Sequence, residues 1–167
     1  MATHPFDIFS IPEMEGKLIF TPCPGTKDAD LRQSLQQLKT AGVEVLVTLM
    51  TQDELQQFNV EALPAACHEY GLKWCHLPIE DNEAPAQDFD AGWNEHSTLI
   101  NQSLEQGDWV AIHCLGGSGR TGLMASIILL ERDGNVENVK AAVQALRPRS
   151  LQKPAHIGYL SEKYSNQ

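Results

Sequence analysis

Strand-like and helix-like segments alternate along this chain, which predicts an α/β fold: a single domain with a mostly parallel central sheet flanked by helices. Three observations carry that expectation. Val43 to Leu49 is β-branched and nearly all apolar, as a parallel strand covered on both faces should be. Between such runs, apolar residues recur three and four positions apart, the spacing of helices with one buried face. And 167 residues, 42% apolar and 20% charged, form neither a repeat nor a linker, so residues 1–167 are expected to make one compact unit.

The elements follow in order. Lys17-Leu18-Ile19-Phe20 reads as a short strand, closed by Pro22 and the Pro24-Gly25 turn. Leu31, Leu35 and Leu38 mark a helix over Asp28 to Thr40, stopped by Gly42. After the Val43–Leu49 strand, a short helix follows Thr51 and a second runs to Tyr70, with Gly71 as its stop. Leu72 to Leu77 is the next strand, broken by Pro78. Pro78 to Gln87, rich in acids and proline, is a loop. Asp88 is expected to cap a helix with Phe89, Trp93, Leu99, Ile100 and Leu104 on its buried stripe, ending at Gly107. Trp109 to Ile112 is a strand, and Arg120 to Arg132 an apolar helix. Asn135 caps a helix over Val136 to Leu146, and a last helix spans Pro154 to Tyr164. Trp74, Trp93 and Trp109 are assigned to the core.

Charge narrows the function. With 22 acidic and 12 basic residues the net charge is −10, and the isoelectric point is near 4.9. Such a surface repels nucleic-acid phosphates and anionic lipid, so neither is an expected partner. Leu123 to Leu130 is the longest apolar run and is far too short to span a bilayer. No basic and apolar leader opens the chain, and Cys23, Cys67, Cys75 and Cys114 lack the dense spacing of a disulfide scaffold. A reduced, cytoplasmic protein is expected. A metal is not: Cys75 and His76 would point to opposite faces of their strand.

The chemistry concentrates in Ile112-His113-Cys114-Leu115-Gly116-Gly117-Ser118-Gly119-Arg120-Thr121-Gly122. A strand delivers a cysteine into a loop with three glycines, and an arginine opens the following helix. Glycines let backbone N–H groups converge on one anion, and the helix N-terminus adds donors and partial positive charge. Arg120 offers a planar fork for two phosphate oxygens. The same field favours Cys114 as a thiolate, a nucleophile aimed at a cradled phosphorus. A nucleotide-binding P-loop fails, because aligning Gly119-Arg120-Thr121 with its Gly-Lys-Thr puts Cys114 where that motif needs glycine.

This segment resembles the His-Cys-x5-Arg-(Ser/Thr) signature of the cysteine-dependent tyrosine and dual-specificity protein phosphatases, and matches it at His113, Cys114, Gly116, Gly119, Arg120, Thr121 and Gly122. Pro24-Gly25 with Lys27, Pro78-Ile79-Glu80-Asp81, Leu151-Gln152 and Tyr159-Leu160 resemble the cyclin-dependent kinase-associated phosphatase branch, from about residue 20 to 162. The resemblance implies a tyrosine phosphatase-like fold and a phosphorylated protein as substrate, without cofactor or metal. It further implies that Cys114 becomes a cysteinyl-phosphate and that Arg120 and the amides of Leu115, Gly116, Gly117, Ser118 and Gly119 hold the phosphoryl oxygens. Thr121 would support the thiolate, and His113 would orient the loop. Asp81 would be the general acid, with Glu80, Glu83 and Asp88 as rivals. Gln152 would help place the hydrolytic water. His156 stands where the branch carries a second glutamine, and its role is open. Arg147, Arg149 and Lys153 either recruit a second anion or form a solvated basic turn. Other readings of the same residues are a phosphatase of a small metabolite or phosphoinositide, and a phosphoprotein-binding module with negligible turnover. Cys23, Cys67 and Cys75 are possible partners for an oxidised Cys114.

Overall fold

In the computed structural model, which describes residues 2–165, the strands are β1 (Asp7–Ser10), β2 (Lys17–Thr21), β3 (Val43–Thr48), β4 (Lys73–His76) and β5 (Trp109–His113). The helices are α1 (Leu31–Ala41), α2 (Gln52–Gln57), α3 (Leu63–Glu69), α4 (Gln87–Glu105), α5 (Gly119–Asp133), α6 (Val136–Leu146) and α7 (Pro154–Tyr164). The sheet order is β1-β2-β5-β3-β4; β2, β5, β3 and β4 are parallel, and β1 is antiparallel to β2. The mostly parallel α/β architecture is as expected.

Alternation along the strands divides the interior in two. Leu18, Phe20, Val45, Val47, Val110 and Ile112 pack with the helical residues Phe89, Ile100, Leu123, Ile127, Val143 and Leu160. Ile19, Leu46 and Ala111 pack against Leu35 and Leu38 of α1 and Leu63 and Cys67 of α3. Covering both faces is why the strands read as continuous apolar runs. Each fully buried side chain of this kind contributes about 1.5–3 kcal/mol. No helix among the described residues is long and apolar enough to cross a membrane.

Local signals set several boundaries. Asp30 and Gln33 form a capping box at α1, Thr51 and Glu54 form another at α2, and Asn135 caps α6. Three expectations need correction. Strand β1 was not foreseen: it has four residues, lies between Pro5 and Pro12, and leaves Ile8 exposed, so no alternating stripe announces it. Asp88 does not cap α4, which starts one residue earlier after Ala86; Asp88 sits in the first turn, where its charge complements the helix dipole. Trp74 and Trp109 are half-buried, and only Trp93 belongs to the core.

Candidate active site

The parallel strands end together, with Thr21 and Thr48 both level with His113. Because β5 lies between β2 and β3, the residue that follows it emerges at the carboxyl edge of the sheet, where α/β folds place their ligands. That residue is Cys114, only 4% exposed. Its Sγ accepts from the Gly117 N–H at 3.3 Å and from the Thr121 hydroxyl at 3.2 Å. Both donors stabilise negative charge on sulfur.

The loop is tied on both sides. Gly117 has φ +85°, and a Cβ there would lie 2.7 Å from the Thr21 backbone, so only glycine fits. The Cys23 N–H donates to Leu115 O at 3.0 Å. Behind the loop, Ser150 Oγ donates to Ser118 O at 2.6 Å. Beneath it, His113 Nδ1–H donates to Cys114 O at 3.0 Å, which makes Nε2 the acceptor of the Thr48 hydroxyl at 2.7 Å. Thr48 in turn accepts from Trp74 Nε1 at 2.7 Å. Burial pushes His113 down to about 4 despite that backbone hydrogen bond, so the chain holds a neutral ring of fixed tautomer.

Arg120 is 2% exposed and its fork is already half used. Nη1 and Nη2 donate to Glu54 Oε1 and Oε2 at 2.7 and 2.9 Å, and Nη1 also donates to Ile79 O at 2.9 Å. A guanidinium has five N–H groups, so these three bonds leave Nε–H and the second Nη2–H, which share one edge. That free edge has the geometry to take two oxygens of an oxyanion at once. Burial opposes the charge on Arg120, but Glu54, Cys114 and Asp81 outweigh it and raise its pKa.

Glu54 was not singled out from the sequence. Its visible signal was local, the Thr51-x-x-Glu54 capping box, and its Oε1 does accept from Thr51 N at 3.1 Å. Burial raises its carboxyl pKa, but the Arg120 and Thr51 hydrogen bonds outweigh this and hold it below the usual range. Since the folded state binds fewer protons, the pair stabilises the fold above the ordinary glutamate pKa and is lost as pH falls through the lowered value. Glu54→Ala removes the short bidentate partner of buried Arg120, leaving it Ile79 O and the more distant Asp81 carboxylate, and is expected to cost about 3 kcal/mol in urea unfolding. The same variant should raise KM for a phosphate ester more than it lowers kcat, because the free guanidinium edge loses its aim. Wild-type stability together with wild-type KM would remove Glu54 from this role.

Asp81 sits across the cleft, with Oδ1 3.6 Å from Arg120 Nε and 3.2 Å from Lys153 Nζ. Burial pushes its carboxyl pKa up, but the Arg120 charge, the Lys153 ammonium and the Asn82 amide together hold it below the usual range. Its rivals do not line the cleft: Glu80, Glu83 and Asp88 line an adjoining depression, and Asp81 alone of the four carboxylates lines both. The structure does not bring Gln152 into the cleft; its amide is exposed and donates to Pro148 O at 2.9 Å. His156 is fully buried instead, and its Nε2–H donates to Glu83 O at 3.1 Å, tying α7 to the loop that carries Asp81. The cleft measures about 250 Å³ and is lined by Asp81, Cys114, Leu115, Gly116, Ser118, Gly119, Arg120, Arg149 and Lys153. Cys23, Cys67 and Cys75 are buried, with thiols pushed up by burial to about 12, 12 and 11, so they are poor nucleophiles.

The profile of the family described as "Polymorphic toxin system, DSP-PTPase phosphatase" matches residues 24–134. Among curated proteins, "Cyclin-dependent kinase inhibitor 3" of Sus scrofa is 33% identical over 128 residues, 74% of this chain and 58% of that protein. The protein of the same name from Homo sapiens is 30% identical over the same shares. This chain therefore spans about 58% of the length of those relatives. Among solved structures, kinase associated phosphatase with serine substituted for its catalytic-site cysteine has a TM-score of 0.85 at 22% identity, covering 100% of this chain and 99% of that one. The active form of Tk-PTP has a TM-score of 0.72 at 21% identity, covering 96% and 97%. At these identities the two structures share the fold.

Proposed function

The chain belongs to the DSP-PTPase phosphatase family, and from that membership we propose that it is a metal-independent phosphomonoesterase acting on phosphorylated protein. The observation that carries the proposal is the pairing of Cys114 Sγ, held by two donors, with the free edge of a locked Arg120 in one cleft. Residues 1–167 act as one such domain, in the cytoplasm, where the thiols stay reduced.

The chemistry follows from the named atoms. The two free N–H groups of Arg120 and the amides of Leu115, Gly116, Gly117, Ser118 and Gly119 seat the phosphoryl oxygens. Cys114 Sγ attacks phosphorus as the ester P–O bond breaks, and Asp81 gives its proton to the departing oxygen. Water then attacks the cysteinyl-phosphate, Asp81 takes the proton back, and the S–P bond breaks. Thr121 and the Gly117 N–H receive the returning thiolate. His113 keeps the strand end in register and exchanges no proton. His156 and the Glu83 carbonyl set the height of the Asp81 loop, the position the related branch gives to glutamine. Gln152, bonded to Pro148 and outside the cleft, is given no part in these steps.

A cleft of about 250 Å³ is below the ~300–1,000 Å³ usual for sites that envelop small molecules, which supports a phosphate presented on a larger chain. Relatives named for cyclin-dependent kinases and for kinase association support a phosphoprotein too. The test is turnover of phosphothreonine, phosphoserine and phosphotyrosine peptides beside inositol phosphates. Peptide hydrolysis that is blocked by vanadate and indifferent to chelators is expected. Strict dependence on an added divalent metal would overturn the mechanism, and hydrolysis of inositol phosphates alone would overturn the substrate class.

A further inference from the structure

The polar chain beneath the Cys114 loop can run in one direction only. An indole N–H donates and never accepts, so Trp74 Nε1 gives its hydrogen to Thr48 Oγ1 at 2.7 Å. A carbonyl accepts and never donates, so the 3.0 Å contact with Cys114 O places the His113 hydrogen on Nδ1. Nε2 then has only a lone pair to offer, and the single Thr48 hydroxyl hydrogen meets it at 2.7 Å. Thr48 and His113 are fully buried, so no bulk water competes for these bonds. Trp74 is held from its other side. Its ring stacks on His76 with centroids 5.0 Å apart, and His76 Nε2–H donates to Met50 O at 2.7 Å.

The chain does not stop at the carbonyl. In a trans peptide the C=O and the N–H point in opposite directions. With Cys114 O turned back onto His113, the N–H of Leu115 points the other way, towards the cleft that Leu115 lines. That N–H donates to no described residue, while the Leu115 carbonyl is tied separately to the Cys23 N–H at 3.0 Å. The Trp74 N–H, Thr48 O–H, His113 Nδ1–H and Leu115 N–H are thus aligned head to tail, and the last is unused.

We infer that Trp74 and Thr48 are positioning residues for oxyanion binding: with His113 they form a polarised relay that aims and strengthens the Leu115 N–H. The phosphoryl group as its anion rests on the proposed function. The physical reason is cooperativity. A hydrogen bond received at Nε2 makes Nδ1–H a better donor, and one received at Cys114 O polarises the peptide, which makes the Leu115 N–H a better donor in turn. In a buried chain such bonds strengthen one another by roughly 10–30% each. The relay also fixes the aim. Without the Thr48 hydroxyl, Nε2 is a buried acceptor with no partner, and the ring loses the contact that keeps it facing the carbonyl. No proton crosses, in keeping with a ring whose pKa burial pushes down to about 4.

The test measures binding of tungstate, an oxyanion with no ester bond to break, by calorimetry, beside phosphopeptide kinetics and ¹⁵N NMR of the His113 ring. The wild type should carry the His113 hydrogen on Nδ1. Thr48→Val keeps the side-chain shape and removes the hydroxyl; it should weaken tungstate about fivefold and raise KM with a smaller loss of kcat. Thr48→Ser should return tungstate affinity to within about twofold of the wild type, and Trp74→Phe, which keeps a ring but no N–H, should fall between. A His113 hydrogen on Nε2 in the wild type overturns the relay. Unchanged affinity in Thr48→Val overturns it too, as does a Thr48→Ser as weak as the valine variant, which would make the effect one of packing. If Thr48→Val does not fold, wild-type affinity in Trp74→Phe overturns the relay and weakened affinity upholds it. Weakened tungstate binding in the variants of a protein that hydrolyses no phosphopeptide upholds the relay and removes the phosphatase. Normal hydrolysis with unshifted variants removes the relay and leaves the phosphatase standing.

Discussion

Cys114→Ser is expected to lower kcat at least 10⁴-fold while leaving phosphopeptide affinity near the wild-type value. The size follows from the role: serine in this loop has neither the thiolate's charge nor its nucleophilicity, and loss of a covalent nucleophile removes the whole two-step path. Retained affinity follows from the geometry. In the proposed mechanism the phosphate contacts fall to Arg120 and the loop amides, and a hydroxyl in place of the thiol fills less space against Gly117 and Thr121. Trapping of a ³²P-labelled adduct on the wild type in acid, and its absence in the variant, checks the intermediate directly. Turnover by Cys114→Ser within tenfold of the wild type would falsify the mechanism. Stability should change little, because the Sγ atom accepts hydrogen bonds that Oγ can also accept.

Asp81→Asn is expected to slow phosphothreonine hydrolysis by about 10²–10⁴-fold, the usual worth of a positioned proton donor. An alkoxide leaves poorly without a proton, whereas a nitrophenolate leaves readily, so the loss on an aryl phosphate should be distinctly smaller. The pH profile carries a second signature. In the free protein Arg120 and Lys153 favour the Asp81 carboxylate, so the protonated form declines as pH rises through a lowered pKa. The wild type should therefore lose kcat/KM on phosphothreonine with rising pH on its basic limb, and Asp81→Asn should flatten that limb. A bound phosphate dianion works the other way, since it neutralises Arg120 and repels a neighbouring carboxylate, which favours the proton on Asp81 when it is needed. Equal, slight losses on both substrates would exclude Asp81 as the donor, and Glu80→Gln and Glu83→Gln would then be compared.

What sequence alone determined is what lies close along the chain. Strand, cysteine, glycines and arginine fall between Trp109 and Gly122, and each has its function from local physics: apolar side chains for a central strand, glycine for a positive φ at Gly117, and a helix start for anion binding. The helix stops at Gly42, Gly71 and Gly107 were legible for the same reason, since each takes a positive φ that glycine alone adopts freely. The resemblance pointed to Asp81, and it could not say what holds it.

Tertiary structure decided the partners. Glu54 is 66 positions from Arg120, Thr48 is 65 from His113, Lys153 is 72 from Asp81, and Glu83 is 73 from His156. None of these pairs leaves a pattern in a window of one helix or strand. β1 belongs with them, because a four-residue edge strand is chosen by the neighbour it pairs with rather than by its own alternation. Contacts across such separations each carry a loop-closure cost that no local propensity offsets. They form because burying the apolar faces of sheet and helices fixes the elements relative to one another, and that arrangement decides which charge meets which: Arg120 with Glu54, and Asp81 with Lys153.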